Sequence, residues 1–462
     1  MKIKVNNLGA IRTADIDLSK KLTIFCGPNN TGKTYLSYVI YALLTASKQS
    51  SYIAKSIPQE SLRELFEYRA IEINIIPEEV VVYKKKLTEH VLENLDTVFG
   101  ISEEKAKSFF KDFQLQFTPS LEECSEKIST LEFVCKMNLG SLSFAILKRE
   151  PFKIVVKPSD TNDYTNEPVL PILRSLIYTG VLGLIATYPI LGVSIFPVER
   201  MSVYTFKKEL SINRNILVDQ ILRLEKNEKI NPFDFVNQRS KRYPIAISRN
   251  LDIANDLTEI QKNRGDYFEL AETIEKDLLG GHISITKEGD VMFTSDKTSK
   301  SKIMPIHMAA SVIKSISSLV IYLKHLAHKG DLIIIDEPEM NLHPNSQILL
   351  VHIFAKLLNS DLKLLISTHS DYIIREFNNL IMASSLNNED LISKHRYTND
   401  ILVNKDDVNV YYFQYKTKKN VDVEAVDVTD TGFAISSIDD TIDKQNRIAE
   451  DLYFNLKYSD ND

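Results

Sequence analysis

The feature that most constrains the fold of this chain is a turn of small and amide-bearing residues, GPNNTGKT, at Gly27 to Thr34. The apolar run Leu22 to Cys26 precedes the turn, and between Lys33 and Ala46 apolar residues recur at the spacing of one helix face. A strand, a glycine-rich turn and a helix in this order form the context in which the pattern G-x-x-x-x-G-K-[ST] binds phosphate. The pattern therefore predicts a phosphate site.

Each residue type in this turn has a chemical reason to be there. Backbone N–H groups of the turn and of the first helical turn can converge on phosphate oxygens, and the helix dipole adds to the attraction. We expect Lys33 to reach the β and γ phosphates and the Thr34 hydroxyl to bind Mg²⁺. The predicted nucleotide-binding residues of the turn are Gly27, Asn29, Asn30, Thr31, Gly32, Lys33 and Thr34.

A second motif, DLIIIDEPEMNLHP, places two adjacent acids, Asp336 and Glu337, at the end of an apolar run from Leu332 to Ile335. Two carboxylates at the end of a buried strand are costly without a cation or another partner. Asp336 is predicted to hold Mg²⁺, and Glu337 to orient and deprotonate the attacking water. The alternative, that the acids cap the following helix, accounts for one carboxylate but not for the pair.

A third motif, LLISTHSDY, is another apolar strand that ends in polar residues and contains His369. An imidazole at this position is predicted to touch a γ phosphate. A single histidine after a strand is more often a structural hydrogen-bonding group. Its position in the chain after the acid pair favours the catalytic interpretation.

The length of 462 residues and the hydrophobic content of 44% predict one main domain with a large insertion or a second domain. Strands alternate with helices around the three motifs, which predicts an α/β fold with a parallel sheet. We expect the segments to be 1–50 and 171–205 (core), 51–170 (helical insertion), 206–290 (helices and a hairpin), 291–380 (core) and 381–462 (a C-terminal strand and helix extension).

Charge and cysteine content restrict the setting of the protein. A net charge of −6 excludes a surface that is basic throughout, although a local contact with DNA remains possible. The basic segment NQRSKRYP, residues 237–244, is better explained as a solvated loop. Three cysteines without metal-type or disulfide-type spacing, and an N-terminus without a secretory pattern, favour a cytoplasmic location.

The uncharged segment Ser175 to Val198 is long enough to cross a bilayer, but Pro189 and Gly192 interrupt it. We favour a buried helix up to about Tyr188, a turn, and a buried strand from Gly192 to Phe196, with a membrane span as the alternative. We therefore expect no membrane partner.

Two features near the C-terminus could also carry function. Asp422, Glu424 and Asp427 suggest a metal site, although the solvent face of a strand is the more common explanation. A predicted final helix, Ile438 to Leu456, has an apolar face suited to docking.

The three motifs together resemble those of ATPases of the ABC and SMC type, particularly the OLD-like AAA ATPases of bacterial defence systems. In this resemblance GPNNTGKT is the Walker A motif, LIIIDEPEMNLHP contains the Walker B motif and the following D-loop, and STHSDY is the switch histidine segment. The resemblance implies an ABC-type P-loop ATPase head with a mixed sheet, an antiparallel β subdomain and a helical insertion. It also implies ATP and Mg²⁺, and two heads that dimerise around two ATP molecules.

In such dimers each head contributes a signature helix to the nucleotide of the other head. The matching segment here is MAASVIKSISSL, so the resemblance places Ser311 at the partner's γ phosphate with Lys314 nearby. Val312 and Ile313 replace the glycine pair that usually follows the serine, and an ordinary amphipathic core helix is the alternative.

The resemblance assigns three further residues around the site. It places Asn341 and His343 in the D-loop at the dimer seam. Arg200, in the segment FPVERM, is a candidate for a contact with the active site.

The chain shows no nuclease or zinc pattern, so the resemblance implies a separately encoded effector. Stand-alone ATPase subunits of two-component defence systems, such as the Septu and PARIS ATPases, work with an HNH nuclease or a Toprim protein. Two other readings remain open: a RecF-like DNA repair clamp, and the nucleotide-binding subunit of a transporter.

Overall fold

The computed structural model describes residues 1–49, 70–118, 121–139, 142–159, 170–205, 243–296, 303–386 and 388–458. A helix predicted at Glu60 to Tyr68 and all but the last two residues of the basic segment 237–244 lie outside these ranges.

The N-terminal unit follows the predicted order of strand, turn and helix. It consists of β1 (Lys2–Leu8), β2 (Ile11–Asp17), β3 (Leu22–Cys26) and α1 (Lys33–Gln49). The segment up to residue 158 then contains β4 (Ile71–Asn74), α2 (Pro77–Glu93), α3 (Leu95–Phe99), α4 (Glu103–Phe109), β5 (Gln114–Thr118), α5 (Leu121–Thr130), β6 (Phe133–Leu139), β7 (Leu142–Glu150) and β8 (Lys153–Pro158).

The middle of the chain is mostly helical around one strand, Gly192–Phe196, and a three-stranded antiparallel sheet formed by the last three strands of this part. Its elements are α6 (Leu170–Thr187), β9 (Gly192–Phe196), α7 (Arg200–Val203), α8 (Ile245–Asn255), α9 (Leu257–Ile260), α10 (Phe268–Ile274), β10 (Gly281–Ile285), β11 (Val291–Ser295) and β12 (Ile303–Pro305). The predicted hairpin, with its loop at residues 287–290, is confirmed by the pairing of β10 with β11.

The last part of the chain alternates helices and strands. It contains α11 (Ser311–His325), β13 (Asp331–Asp336), α12 (Pro344–Asn359), β14 (Lys363–Thr368), α13 (Asp371–Ser385), α14 (Glu389–Lys394), β15 (Val408–Tyr415), β16 (Val421–Val426) and α15 (Ser436–Tyr458).

Within the described residues the central sheet has nine strands in the order β5-β1-β2-β16-β15-β3-β14-β13-β9. The strands β15, β3, β14, β13 and β9 are parallel to one another, whereas β1 pairs with both β2 and β5 in the antiparallel sense. The carboxyl ends of β3, β13 and β14 therefore meet at one edge of the sheet, where the loops of an α/β protein carry its function. This mixed α/β architecture confirms the predicted fold class.

The central strands are buried on both faces, which explains their continuous apolar sequences. In β13, Leu332 and Ile334 pack into one hydrophobic core, and Ile333 and Ile335 pack into the core on the opposite face. Helices α1 and α6 contribute to the first core, while α11, α12 and α13 contribute to the second. The three strands that carry the motifs, β3, β14 and β13, thus lie side by side. The hydrophobic cores on the two faces of the sheet hold their ends in place.

The segment expected to be a helical insertion is helical only in part. Strands β4, β8, β7 and β6 form a separate antiparallel sheet, in which Ile71 pairs with Val156, and β5 joins the edge of the central sheet. Of the strands described in this segment, β4 and β5 pair with strands far away in the sequence, whereas β6, β7 and β8 follow one another as antiparallel neighbours. The sequence pattern did not distinguish these strands from helices.

The uncharged segment at Ser175 to Val198 folds as the favoured interpretation predicted. It forms most of α6 and then β9, which pairs with β13 inside the central sheet. Within the described ranges, no helix combines the length and the apolar character that a bilayer crossing needs.

The C-terminal segment, expected to be an extension, contributes two strands to the interior of the central sheet. Strand β15 pairs with β3, which precedes the glycine-rich turn, and β16 pairs with β2. The final helix α15 is present as predicted, but from residue 441 to 457 its side chains are exposed apart from the partly buried Ile442.

Candidate active site

The glycine-rich turn lies between β3 and α1 and depends on glycine at two positions. Gly27 has a φ of 135°, and a Cβ there would lie 2.4 Å from the Phe413 carbonyl oxygen of β15. Gly32 has a φ of 95°, and a Cβ would lie 2.9 Å from the Ile11 side chain. Any larger residue would strain the backbone and push the turn away from the sheet. The two glycines therefore allow the close approach that a phosphate cradle needs.

Lys33 is buried and folds back over the turn. Its Nζ donates to the carbonyl oxygens of Gly27 at 3.1 Å and Pro28 at 2.8 Å, and to the Thr31 hydroxyl at 3.3 Å. Burial lowers the pKa of Lys33 to about 8, and the nearby Asp336 carboxylate opposes this shift. A buried cation held by neutral carbonyls is a group that an anionic ligand would stabilise.

Asp336 ends β13 and is only 2% exposed, as predicted for the first acid of the pair. Its Oδ2 accepts a hydrogen bond of 2.7 Å from the Thr34 hydroxyl, and its Oδ1 accepts one from the Ser367 hydroxyl at the end of β14. The Asp336 carboxylate, at the end of β13, therefore connects Thr34 of the turn with Ser367 of β14. Hydroxyl and carboxylate oxygens are the ligands that Mg²⁺ prefers, so Thr34 and Asp336 fit the metal site expected from the sequence.

Glu337 leaves the strand in a left-handed conformation with a φ of 46°, which is uncommon for a residue other than glycine. Its backbone N–H donates to the Ser367 carbonyl oxygen at 3.0 Å, and this bond fixes the turn. Burial and the adjacent Asp336 raise the pKa of Glu337, while Lys33 acts in the opposite direction. A carboxylate with a raised pKa is better suited to accept a proton from water.

His369 lies beside Glu337, with 3.9 Å between the imidazole Nε2 and the Glu337 Oε1. Burial and the nearby Lys33 ammonium lower the pKa of His369 to about 4, so the ring is neutral at pH 7. The contact is therefore not an ion pair at neutral pH. The structure brings together the turn, the acid pair and the histidine, which are the three motifs that the sequence identified separately.

The residues expected from the resemblance at a dimer seam lie apart from this cluster or on the surface. Ser311 is exposed at the first residue of α11, and Asn341 is exposed with a φ of 61° and donates to the Met201 sulfur at 3.1 Å. His343 caps α12 by accepting from the Asn345 N–H at 3.4 Å. The trans roles of Ser311 and Asn341 stay predictions.

Arg200 does not face the site but lies directly behind the acid pair. It is 2% exposed, and its guanidinium donates to the carbonyl oxygens of Asp336 at 2.7 Å and Glu337 at 2.8 Å. It also donates to the Pro197 carbonyl oxygen and to both the carbonyl and the hydroxyl oxygen of Ser315 in α11. Burial lowers the pKa of Arg200 only to about 10, so it stays charged. Arg200 thus holds the backbone of the acid pair against α11.

Two residues of the site were missed at the sequence level. Glu339, two residues after Glu337, contacts the histidine segment, and Tyr415 donates from the end of β15 to the carbonyl oxygens of Asn29 at 3.3 Å and Asn30 at 3.0 Å. The third acid of DEPE pointed to Glu339, whereas nothing in the sequence connects Tyr415 with a turn 385 residues away.

Of the three acids near the C-terminus, Glu424 and Asp427 are exposed, as the alternative of a solvent face expects, whereas Asp422 is buried. Asp422 accepts two hydrogen bonds from Arg12, and Glu424 pairs with Lys416 at 2.7 Å. In the part of the chain that the structure describes, no group of three or more histidine, cysteine or acidic side chains could hold a metal ion.

The sequence of this chain matches one known protein family. The sequence profile of the family described as AAA ATPase domain matches residues 1–374, which include the turn, the acid pair and the histidine. The chain belongs to this AAA ATPase domain family. Among curated proteins, no relative matches the sequence.

Solved structures similar to this AAA ATPase include heads of SMC proteins. The SMC head domain from Thermotoga maritima is 10% identical over 92% of this chain and 98% of its own, with a TM-score of 0.33. The Smc head domain derived from Pyrococcus furiosus, with an extended coiled coil and bound to the C-terminal domain of ScpA, is 13% identical over 98% of both chains, also with a TM-score of 0.33.

Proposed function

We propose that this AAA ATPase binds ATP with Mg²⁺ at the glycine-rich turn and hydrolyses it slowly. The observation that carries the proposal is the cluster at the carboxyl ends of β3, β13 and β14. There Asp336 contacts both Thr34 and Ser367, and Glu337 lies 3.9 Å from His369. A bound Mg²⁺ would neutralise phosphate charge, and Thr34 and Asp336 would hold it.

The other residues of the site have separate roles in binding the nucleotide and in its hydrolysis. Lys33 and the N–H groups of the turn bind the phosphates of ATP. Glu337 accepts a proton from the attacking water, and neutral His369 donates a hydrogen bond to the γ phosphate. Arg200 keeps the backbone of Asp336 and Glu337 in place through its bonds to their carbonyl oxygens.

Two copies form the active unit in this proposal, and each supplies Ser311 and Asn341 to the nucleotide of the other. The exposure of both residues supports this arrangement, because a second copy can reach them. Met308, three residues before Ser311, is 68% exposed and extends this surface with an apolar side chain. ATP then acts as a clasp between two heads, and hydrolysis opens it.

The cellular role that we propose is the control of a separately encoded nuclease, of the HNH or Toprim type, in antiviral defence. Its support is the resemblance of GPNNTGKT, LIIIDEPEMNLHP and STHSDY to the motifs of OLD-like AAA ATPases of defence systems, and the step to a stand-alone subunit is an analogy from architecture. Possible contact with DNA belongs to the same proposal.

Two experiments test these levels separately. Phosphate release by the purified protein, compared with that of Lys33→Ala, tests the ATPase: the variant should neither bind nor hydrolyse ATP. Equal turnover by the variant would remove the turn from the site.

Affinity purification from the native host tests the cellular role: a co-purifying nuclease supports it. Tight binding of the protein alone to DNA ends, without a nuclease, would replace it with a DNA repair clamp.

A further inference from the structure

Glu339 connects the acid pair with the switch histidine segment through its side chain. Its Oε1 accepts a hydrogen bond of 2.7 Å from the backbone N–H of His369 and one of 2.8 Å from the Thr368 hydroxyl. Its Oε2 is buried and has no hydrogen-bond partner. One carboxyl group therefore holds two consecutive residues of the segment that carries the histidine.

This bond bears directly on the position of the imidazole. The His369 ring lies 3.9 Å from the Glu337 carboxylate. Glu337 is part of the short stretch from Glu337 to Glu339, and His369 is bonded to the same stretch through its backbone N–H and Glu339. Thr368 also accepts from the Ser370 N–H at 3.0 Å, and Ser370 in turn caps α13. The contacts of Glu339 thus fix the backbone on which the imidazole is mounted.

The unpartnered oxygen indicates what kind of group the site requires. A buried carboxylate without a partner for one oxygen is costly, and a neutral group that accepts with the other oxygen costs less. Burial raises the pKa of Glu339 accordingly. The side chain at position 339 must then place one acceptor oxygen at this point, and it does not need a negative charge.

We propose that Glu339 is a positioning residue that holds His369 against Glu337 by accepting hydrogen bonds from the His369 N–H and the Thr368 hydroxyl. The inference rests on the proposed ATPase function and adds a third acid to its site. In this proposal Glu339 acts through the histidine.

Three variants separate positioning from general structural loss. Glu339→Ala removes the acceptor, and Glu339→Gln keeps an acceptor oxygen of the same reach. Glu376→Ala is the matched control, since Glu376 is a buried glutamate whose carboxylate accepts hydrogen bonds from His352 at 2.7 Å and Asn379 at 3.1 Å, among others.

We expect Glu339→Ala to lower kcat by about tenfold or more with KM for ATP changed by less than about twofold, because a misplaced group slows chemistry without removing binding contacts. Glu339→Gln should stay within about threefold of the wild-type kcat, and Glu376→Ala should change kcat as little. If Glu339→Gln loses as much activity as Glu339→Ala, charge is required and the proposal is wrong.

Hydrogen exchange of the His369 amide provides a readout that does not depend on activity. Its protection should fall at least about tenfold in Glu339→Ala and persist in Glu339→Gln and Glu376→Ala, because the amide donates to Glu339. Unchanged protection in Glu339→Ala would overturn the inference. A wild-type protein that does not hydrolyse ATP would instead contradict the proposed function, while the exchange result would still test the bond.

Discussion

The Thr34 hydroxyl donates a hydrogen bond of 2.7 Å to the Asp336 carboxylate, although the two residues are 302 positions apart in the chain. Thr34 is the second residue of the helix α1, and Asp336 ends a strand that is separated from β3 by β14. This bond joins the phosphate-binding motif to the acid pair. The catalytic predictions below depend on that connection.

Glu337→Gln should bind ATP with unchanged affinity and lose turnover by about 100-fold or more, because an amide cannot accept the proton of the attacking water. Phosphate release and equilibrium binding of ATP measure the two properties separately. Turnover equal to that of the wild type would remove Glu337 from the role of general base.

An equal mixture of Lys33→Ala and Ser311→Arg proteins should recover activity that neither variant has alone. A heterodimer would pair the intact turn of one copy with the intact Ser311 of the other, so about a quarter of wild-type turnover should return for a two-fold symmetric dimer. Phosphate release by the mixture is the measurement. If the mixture stays inactive while both variants are folded, Ser311 does not act in trans.

ATP affinity should fall as the pH rises above about 8, because Lys33 loses its proton there in the free protein. Bound phosphates favour the charged amine, so binding near pH 8.5 should take up protons, and affinity at pH 9 should be about tenfold below that at pH 7. Calorimetry in buffers of different ionisation enthalpy measures the uptake. Lys356→Ala, which removes a surface partner of Asp400, should leave it unchanged; no uptake in the wild type would contradict the prediction.

Arg200→Ala should destabilise the protein by about 3 kcal/mol or more, because it removes a buried guanidinium that donates five hydrogen bonds and leaves a cavity behind the acid pair. Arg12→Ala is the comparison: Arg12 makes a two-pronged contact with Asp422 but is 61% exposed, so its loss should cost less than about 1 kcal/mol. Urea unfolding measures both changes. Similar losses in the two variants would show that the bonds of Arg200 contribute little.

Much of the fold around the site could be predicted because its strands are buried on both faces. The apolar runs that lead to Gly27, Asp336 and Ser367 needed no partner to be recognised as strands, and the period of Lys33 to Ala46 identified α1. Strand β4 of residues 71–74 was less visible, because Ile71 pairs with Val156 across 84 residues of intervening sequence. Pairing between distant short strands leaves only a weak local pattern.

The amino-acid sequence predicts the chemistry of the site: a turn with the phosphate-binding pattern, two acids after a buried strand, and a histidine that comes after them. How these groups are held is visible only in the folded chain. There β15 lies beside β3, so that Phe413 and Tyr415 support the turn, Arg200 lies behind the acid pair, and Glu339 bonds to the histidine segment. Motif residues are recognisable because their chemistry requires particular types at fixed spacing, whereas their supports are single side chains whose partners are set by the packing of the sheet.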